Sequence, residues 1–113
     1  MTPAIAQKVL RLVGLGARSR AVVVGVDSVR DAAKRNEIFL AVVASDASSN
    51  SLDKVVPLLN ARRVRFVEVP SAAELGGAVG RNQTAVVGIV DRNLAAGVRA
   101  SVEGPKKSRE EDV

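Results

Sequence analysis

The sequence predicts an α/β fold, an α/β/α sandwich in which one sheet of four strands is covered by helices on both faces. Three observations carry this. Short apolar runs, rich in β-branched residues and too brief for buried helices, recur four times along the chain. Segments with helical spacing and recognisable caps lie between them, and the connections are short. At 113 residues, with 47% hydrophobic and 26% charged side chains, the chain has the composition of one packed domain.

Ala4 to Leu15 places Ile5, Val9 and Leu12 at i, i+4 and i+7, which predicts an amphipathic helix. "GLGARSR", Gly14 to Arg20, is expected to end it with two glycines and polar residues. "AVVVG" follows as a continuous run that predicts a strand buried on both faces, closed by Gly25. A helix to about Arg35 comes next, its N-cap expected at Asp27 or Ser28.

"EIFLAVVASD" predicts a second, central strand that stops at Ser45 and Asp46. "ASSNS" offers N-caps for a helix through "LDKVVPLLNARR", in which Pro57 should introduce a kink. "VRFVEV" alternates as a third strand. In "PSAAELGGAVG", Ser71 and Glu74 have capping-box spacing and a glycine stop follows. "TAVVGIV" is the fourth strand, and Asp91 caps a last helix to roughly Val102. Residues 1–103 thus read as one domain, and "GPKKSREEDV", residues 104–113, as a flexible charged tail.

The missing residue types narrow the function. His, Cys, Trp and Tyr are all absent, which removes the usual general base, the thiolate nucleophile, the common zinc ligands and any disulfide. Ser45, Ser48, Ser49 and Ser51 have no neighbouring base to activate them and read as cap and loop residues. No apolar run approaches the ~18 residues of a membrane span, so the expected location is cytoplasmic. A non-enzymatic protein is expected, with no cofactor, metal or small-molecule substrate.

Net charge is +5, and residues 1–36 hold seven bases against two acids while the remainder balances at ten of each. Such an excess suits a phosphate-facing edge or a solvated basic face. Neither "GLGARSR" nor "GGAVGR" completes a P-loop or a dinucleotide fingerprint. Asp27 and Asp31 lie one turn apart at a helix start and Asp46 ends a strand, a set that could hold Mg²⁺ if the oxygens converged. The simpler reading is a capped helix, since acids there favour the positive end of the helix dipole. Phe39 and Phe66 both lie in apolar strands, so no exposed platform for stacking unpaired bases is expected.

The chain as a whole resembles the kink-turn-binding ribosomal proteins of the L-seven-Ae and L-thirty-e type, in particular their short bacterial members. "GLGARSRAVVVGVDSVRDAAKRN" resembles the family's helix end, basic loop, strand, glycine and recognition helix. "LAVVASDAS" resembles its strand ending in an acid, and "VVPLLNARRVRFVEVPSAAELGGAVG" its proline-bearing helix, strand and Leu-Gly helix. The resemblance spans roughly Val9 to Val98. It implies a three-layer α/β/α sandwich with a central four-stranded mixed sheet, whose glycine turn grips a sharply bent RNA.

Carried over position by position, it places Gly25, Val26, Asp27, Ser28 and Asp31 in the contact turn. Arg18, Arg20, Lys34 and Arg35 would then attract phosphate, and Arg81, Asn82 and Gln83 would form a second loop at the same edge. Where the family has Asn or Lys, Glu or Gln, and then a Lys, this chain has Asp27, Ser28 and Asp31. Each lost polar contact is worth about 1–3 kcal/mol. The expected partner is a structured RNA or the ribosome. The alternative is a protein-interaction module on the same fold that has lost kink-turn binding.

Overall fold

The computed structural model describes residues 1–103; the segment read above as a tail, residues 104–113, lies outside them. Five helices and four strands are present among the described residues, in the order α1 Pro3–Arg18, β1 Val22–Val24, α2 Val26–Lys34, β2 Leu40–Ala44, α3 Ser49–Ala61, β3 Phe66–Val69, α4 Ala72–Ala78, β4 Val86–Ile89 and α5 Arg92–Glu103. The strands form one mixed sheet in the order β1-β4-β2-β3. β4 is antiparallel to both neighbours, with Val22 and Leu40 each opposite Ile89, while β2 and β3 run parallel with Ala41 opposite Phe66.

Alternation along the central strands supplies two cores. Leu40, Val42, Ala44, Val87 and Ile89 face one side and pack with Val9 and Val13 of α1, Leu75 of α4 and Val98 of α5. Ala41, Val43 and Val86 face the other and pack with Val29 and Ala33 of α2 and Val55 and Leu59 of α3. Every residue of β2 and β4 is buried, as strands covered on both faces require. The three-layer α/β/α architecture read from the sequence is the one observed.

Two local expectations are corrected. The glycines of "GLGARSR" do not end the first helix: α1 continues to Arg18. They serve close packing, for a Cβ at Gly16 would meet Leu94 and Val22 side chains and one at Gly14 would stand 3.0 Å from the Ala78 carbonyl oxygen. Helix propensity disfavours each glycine by about 1 kcal/mol, and the burial of Val9, Leu10 and Val13 along the same helix outweighs it. The run "AVVVG", expected as a strand buried on both faces, is instead a half-buried edge strand that pairs only with β4. A β-branched run reports covered faces; it does not report whether both edges are paired.

Helix caps follow the sequence more closely. Ser48 Oγ accepts from the Ser51 N–H at 3.1 Å, Ser71 Oγ from Glu74 N–H at 3.0 Å, and Asp91 Oδ1 from Leu94 N–H at 2.9 Å. Pro57 lies inside α3, as expected.

Candidate functional site

Because β1, β2 and β3 all run opposite to β4, their C-terminal ends share one edge of the sheet with the start of β4. Gly25, Asp46, Ser71 and Thr84 are therefore brought to the same rim. Helices α2, α3 and α4 all begin there, which turns three positive dipole ends toward it. Two of those helices carry serine caps; α2 does not.

Gly25 is the N-cap of α2, with φ 96° and ψ 161° and no side-chain hydrogen bond to the helix start. This corrects the expectation that Asp27 or Ser28 caps the helix: both already lie in its first turn and both are exposed. A side chain at residue 25 would disfavour that backbone region, which is nearly confined to glycine. A Cβ there would nonetheless touch nothing within 4 Å, so the restriction is conformational and the space above the turn is open. The turn is anchored from below by the Gly25 N–H, which donates to the Val86 carbonyl at 3.0 Å. An uncapped helix start beside open space is suited to accept an anion from main-chain N–H groups.

The second predicted loop faces this turn. Val26 and Gln83 line one cleft of about 390 Å³ together with Asp46, Ser48, Ser51 and Thr84. Gln83 and its loop neighbours Arg81 and Asn82 are all exposed. Their loop is held by the Arg81 N–H to Gly76 carbonyl bond at 2.8 Å and the Thr84 N–H to Ala72 carbonyl bond at 3.0 Å. Thr84 itself is buried and donates its hydroxyl to the Val86 carbonyl.

Sequence reasoning missed two residues that build this rim. Gly76 is buried in α4 because a Cβ would lie 2.4 Å from the Gln83 Cα; the available signal was a glycine on the apolar stripe of a short helix. Asp46 was considered as a metal ligand, but its Oδ1 accepts the Ala72 N–H at 2.7 Å and so ties the end of β2 to the start of α4. Among the described residues no three His, Cys, Asp or Glu side chains are grouped to hold a metal ion. The convergence of Asp27, Asp31 and Asp46 that a carboxylate metal site would need is not found.

Of the predicted site's cations, Arg81 alone stands in the loop that faces this turn. Lys34 and Arg35 close α2, whose nine residues carry them about 13 Å from Gly25. Arg35 pairs there with Glu37 at 3.2 Å. Arg18 ends α1 and lines a cleft with Gly77, Val79 and Gly80, next to the Arg81 loop, whereas Arg20 lies past the helix beside Ala21, whose carbonyl accepts from the Val90 N–H at the opposite end of β1. The exposed charges at the rim include Asp27, Asp46 and Glu74 as well as Arg81. Phe39, expected within a strand, is also corrected: it precedes β2, is 46% exposed and lies under the Arg92 guanidinium at 5.5 Å. No helix among the described residues is long and apolar enough to cross a membrane.

The model of the ribosomal protein L7Ae/L30e/S12e/Gadd45 family matches residues 7–98. The chain is 36% identical over 84 residues to the RNA-binding protein YlxQ of Bacillus subtilis (strain 168), covering 74% of this chain and 84% of that protein. It is 30% identical over 98 residues to the RNA-binding protein YlxQ of Enterococcus faecium, covering 87% and 94%. Among solved structures, a protein of unknown function from Bacillus halodurans superposes with a TM-score of 0.78 at 26% identity, over 86% of this chain and 98% of that one. The Giardia lamblia 15.5kD RNA binding protein superposes with a TM-score of 0.76 over 91% of each chain, and at 23% identity that likeness concerns the fold alone.

Proposed function

Because this chain belongs to the ribosomal protein L7Ae/L30e/S12e/Gadd45 family, we propose that it is a non-enzymatic RNA-binding or ribosome-associated protein that recognises a structured, kink-turn-like RNA at the Gly25 rim. The observation that carries this reading is the Gly25 turn itself, a glycine-only conformation with open space above it at the head of a helix that no side chain caps. The RNA-binding names of the two bacterial relatives support the same class of partner.

In this reading the first turn of α2 presents its N–H groups to a backbone phosphate, while Arg81, Asn82 and Gln83 close on the RNA from the facing loop. Asp27 and Asp31 shape the fit by exclusion, since an acid tolerates a nearby amide or ribose hydroxyl and repels a second phosphate. Recognition at this rim is therefore driven by shape and main-chain geometry more than by charge. Cofactors, metals and small-molecule substrates have no part in it.

The deciding experiment titrates the chain against a kink-turn RNA and a straight duplex of the same length and composition. Preference for the kink-turn is the expected result. Equal affinity for the two RNAs, or none for either, would instead favour a protein-interaction module on the same fold.

A further inference from the structure

Several basic side chains that the sequence scatters along the chain gather at the end of the sheet opposite Gly25. Helices α2 and α3 both end there, and Arg62 joins them by donating to the Lys34 carbonyl and to Asn36 Oδ1, both at 3.3 Å. That arginine has a structural task. Its neighbours Arg63, Arg65 and Arg99 line a groove of about 510 Å³ together with Leu40 and Phe66. Glu103 is the one acid among the described residues lining it, 3.7 Å from Arg65 and 3.8 Å from Arg99. Three guanidinium groups against one carboxylate leave the groove with a net charge of +2.

An exposed aromatic ring lies one residue along the chain from the groove's lining. Phe39 immediately precedes Leu40, which lines the groove, and is the one exposed aromatic side chain among the described residues, with Arg92 set over its ring. Scattered surface arginines would account for charge alone. Guanidinium groups around a groove beside an arginine-backed aromatic make up the two parts that single-stranded nucleic acid uses, phosphate neutralisation and a stacking face.

We infer that this arginine groove is a second RNA-binding surface, on which Arg63, Arg65 and Arg99 hold successive phosphates and Phe39 with Arg92 stacks an unpaired base. It rests on the reading of the chain as RNA-binding, but not on the Gly25 turn. The two surfaces lie at opposite ends of the sheet and near opposite edges, β1 and β3, so they are offset by about 13 Å along the strands and by up to three strand spacings, about 14 Å, across them. One RNA whose helix meets the first surface can therefore lay a single-stranded extension on the second.

The test uses the full chain with a kink-turn RNA bearing a single-stranded extension, the same RNA without it, and a straight duplex. The variant combines Arg63→Asn, Arg65→Gln and Arg99→Gln; asparagine suits the left-handed backbone of Arg63, φ 58°. With far-UV circular dichroism unchanged, the slope of log K against log salt for the extended RNA should fall by about two. The advantage of the extended over the unextended RNA should disappear, while preference for the kink-turn over the straight duplex persists. The matched Arg→Lys triple should keep the slope, and Phe39→Leu should remove most of the extension's advantage without changing it.

An unchanged slope and an unchanged extension advantage in the arginine variant would overturn the proposal. So would a variant that loses binding to an oligoglutamate peptide but keeps all three RNA affinities, which would make the groove a protein surface. Loss of kink-turn preference in Gly25→Ala bears on the first surface alone. Should the arginine triple unfold, the Phe39→Leu arm decides: no loss of the extension's advantage overturns the inference.

Discussion

A Cβ on Gly76 would lie 2.4 Å from the Cα of Gln83 and 2.6 Å from its nitrogen, so α4 and the loop preceding β4 meet backbone to backbone. Neither partner is a movable side-chain end. The contact sets how far Arg81, Asn82 and Gln83 stand from the Gly25 turn.

Gly76→Ala should therefore push the loop away and destabilise the chain by about 1–3 kcal/mol, as overpacked sites do. Urea unfolding followed by circular dichroism reads the loss. Gly77→Ala is the control: it lies on the exposed face of the same helix, where a Cβ would touch nothing, and it should be neutral or slightly stabilising.

Gly25→Ala tests conformational restriction without crowding. The added methyl group meets no atom, yet φ 96° with ψ 161° is strained for any L side chain, at a cost of about 1–3 kcal/mol. The chain can relieve that strain only by re-aiming the turn. Kink-turn preference measured by filter binding or calorimetry should fall with stability, and an unchanged preference would detach the turn from RNA recognition.

Asp27→Asn, Ser28→Glu and Asp31→Lys combined restore the side chains that the resemblance associates with this turn. All three positions are exposed on α2, so the fold should tolerate the change. Affinity for a kink-turn RNA should rise at least tenfold, about 1.4 kcal/mol, with a steeper salt dependence because Asp31→Lys adds a cation beside phosphate. A fall in affinity would mean that the native acids make contacts of their own.

Asp46→Ala should cost about 1–3 kcal/mol, because the N–H of the buried residue Ala72 loses its acceptor. Asp46→Asn retains an acceptor oxygen and should recover most of it. If Mg²⁺ raised the thermal midpoint of the native chain and not of Asp46→Asn, a metal role for this carboxylate would have to be reinstated.

The elements were legible because each has a local cause. Buried runs made β2 and β4 readable, serine and aspartate spacing made the caps of α3, α4 and α5 readable, and the alternation of helix and strand made the layers readable. The misreadings share a cause as well. Gly14 and Gly16 were taken as breakers because chain order does not show Leu94 and Ala78 closing on them. Gly25 was passed over as a cap because a backbone cap leaves no polar side chain to recognise.

Charge shows the same division. Lys34 and Arg35 lie within ten residues of Gly25 in the sequence, yet a helix carries them to the far end of the sheet, where Arg62 and Arg65 arrive from another segment. The sequence by itself determined which segments are helices and strands, which faces they bury, and that a glycine must follow the first strand, because propensity, periodicity and capping act over a few residues. Only the tertiary structure decided which acids tie elements together, which loop faces the turn, and at which end the arginines collect, because those depend on the direction in which each strand crosses the sheet.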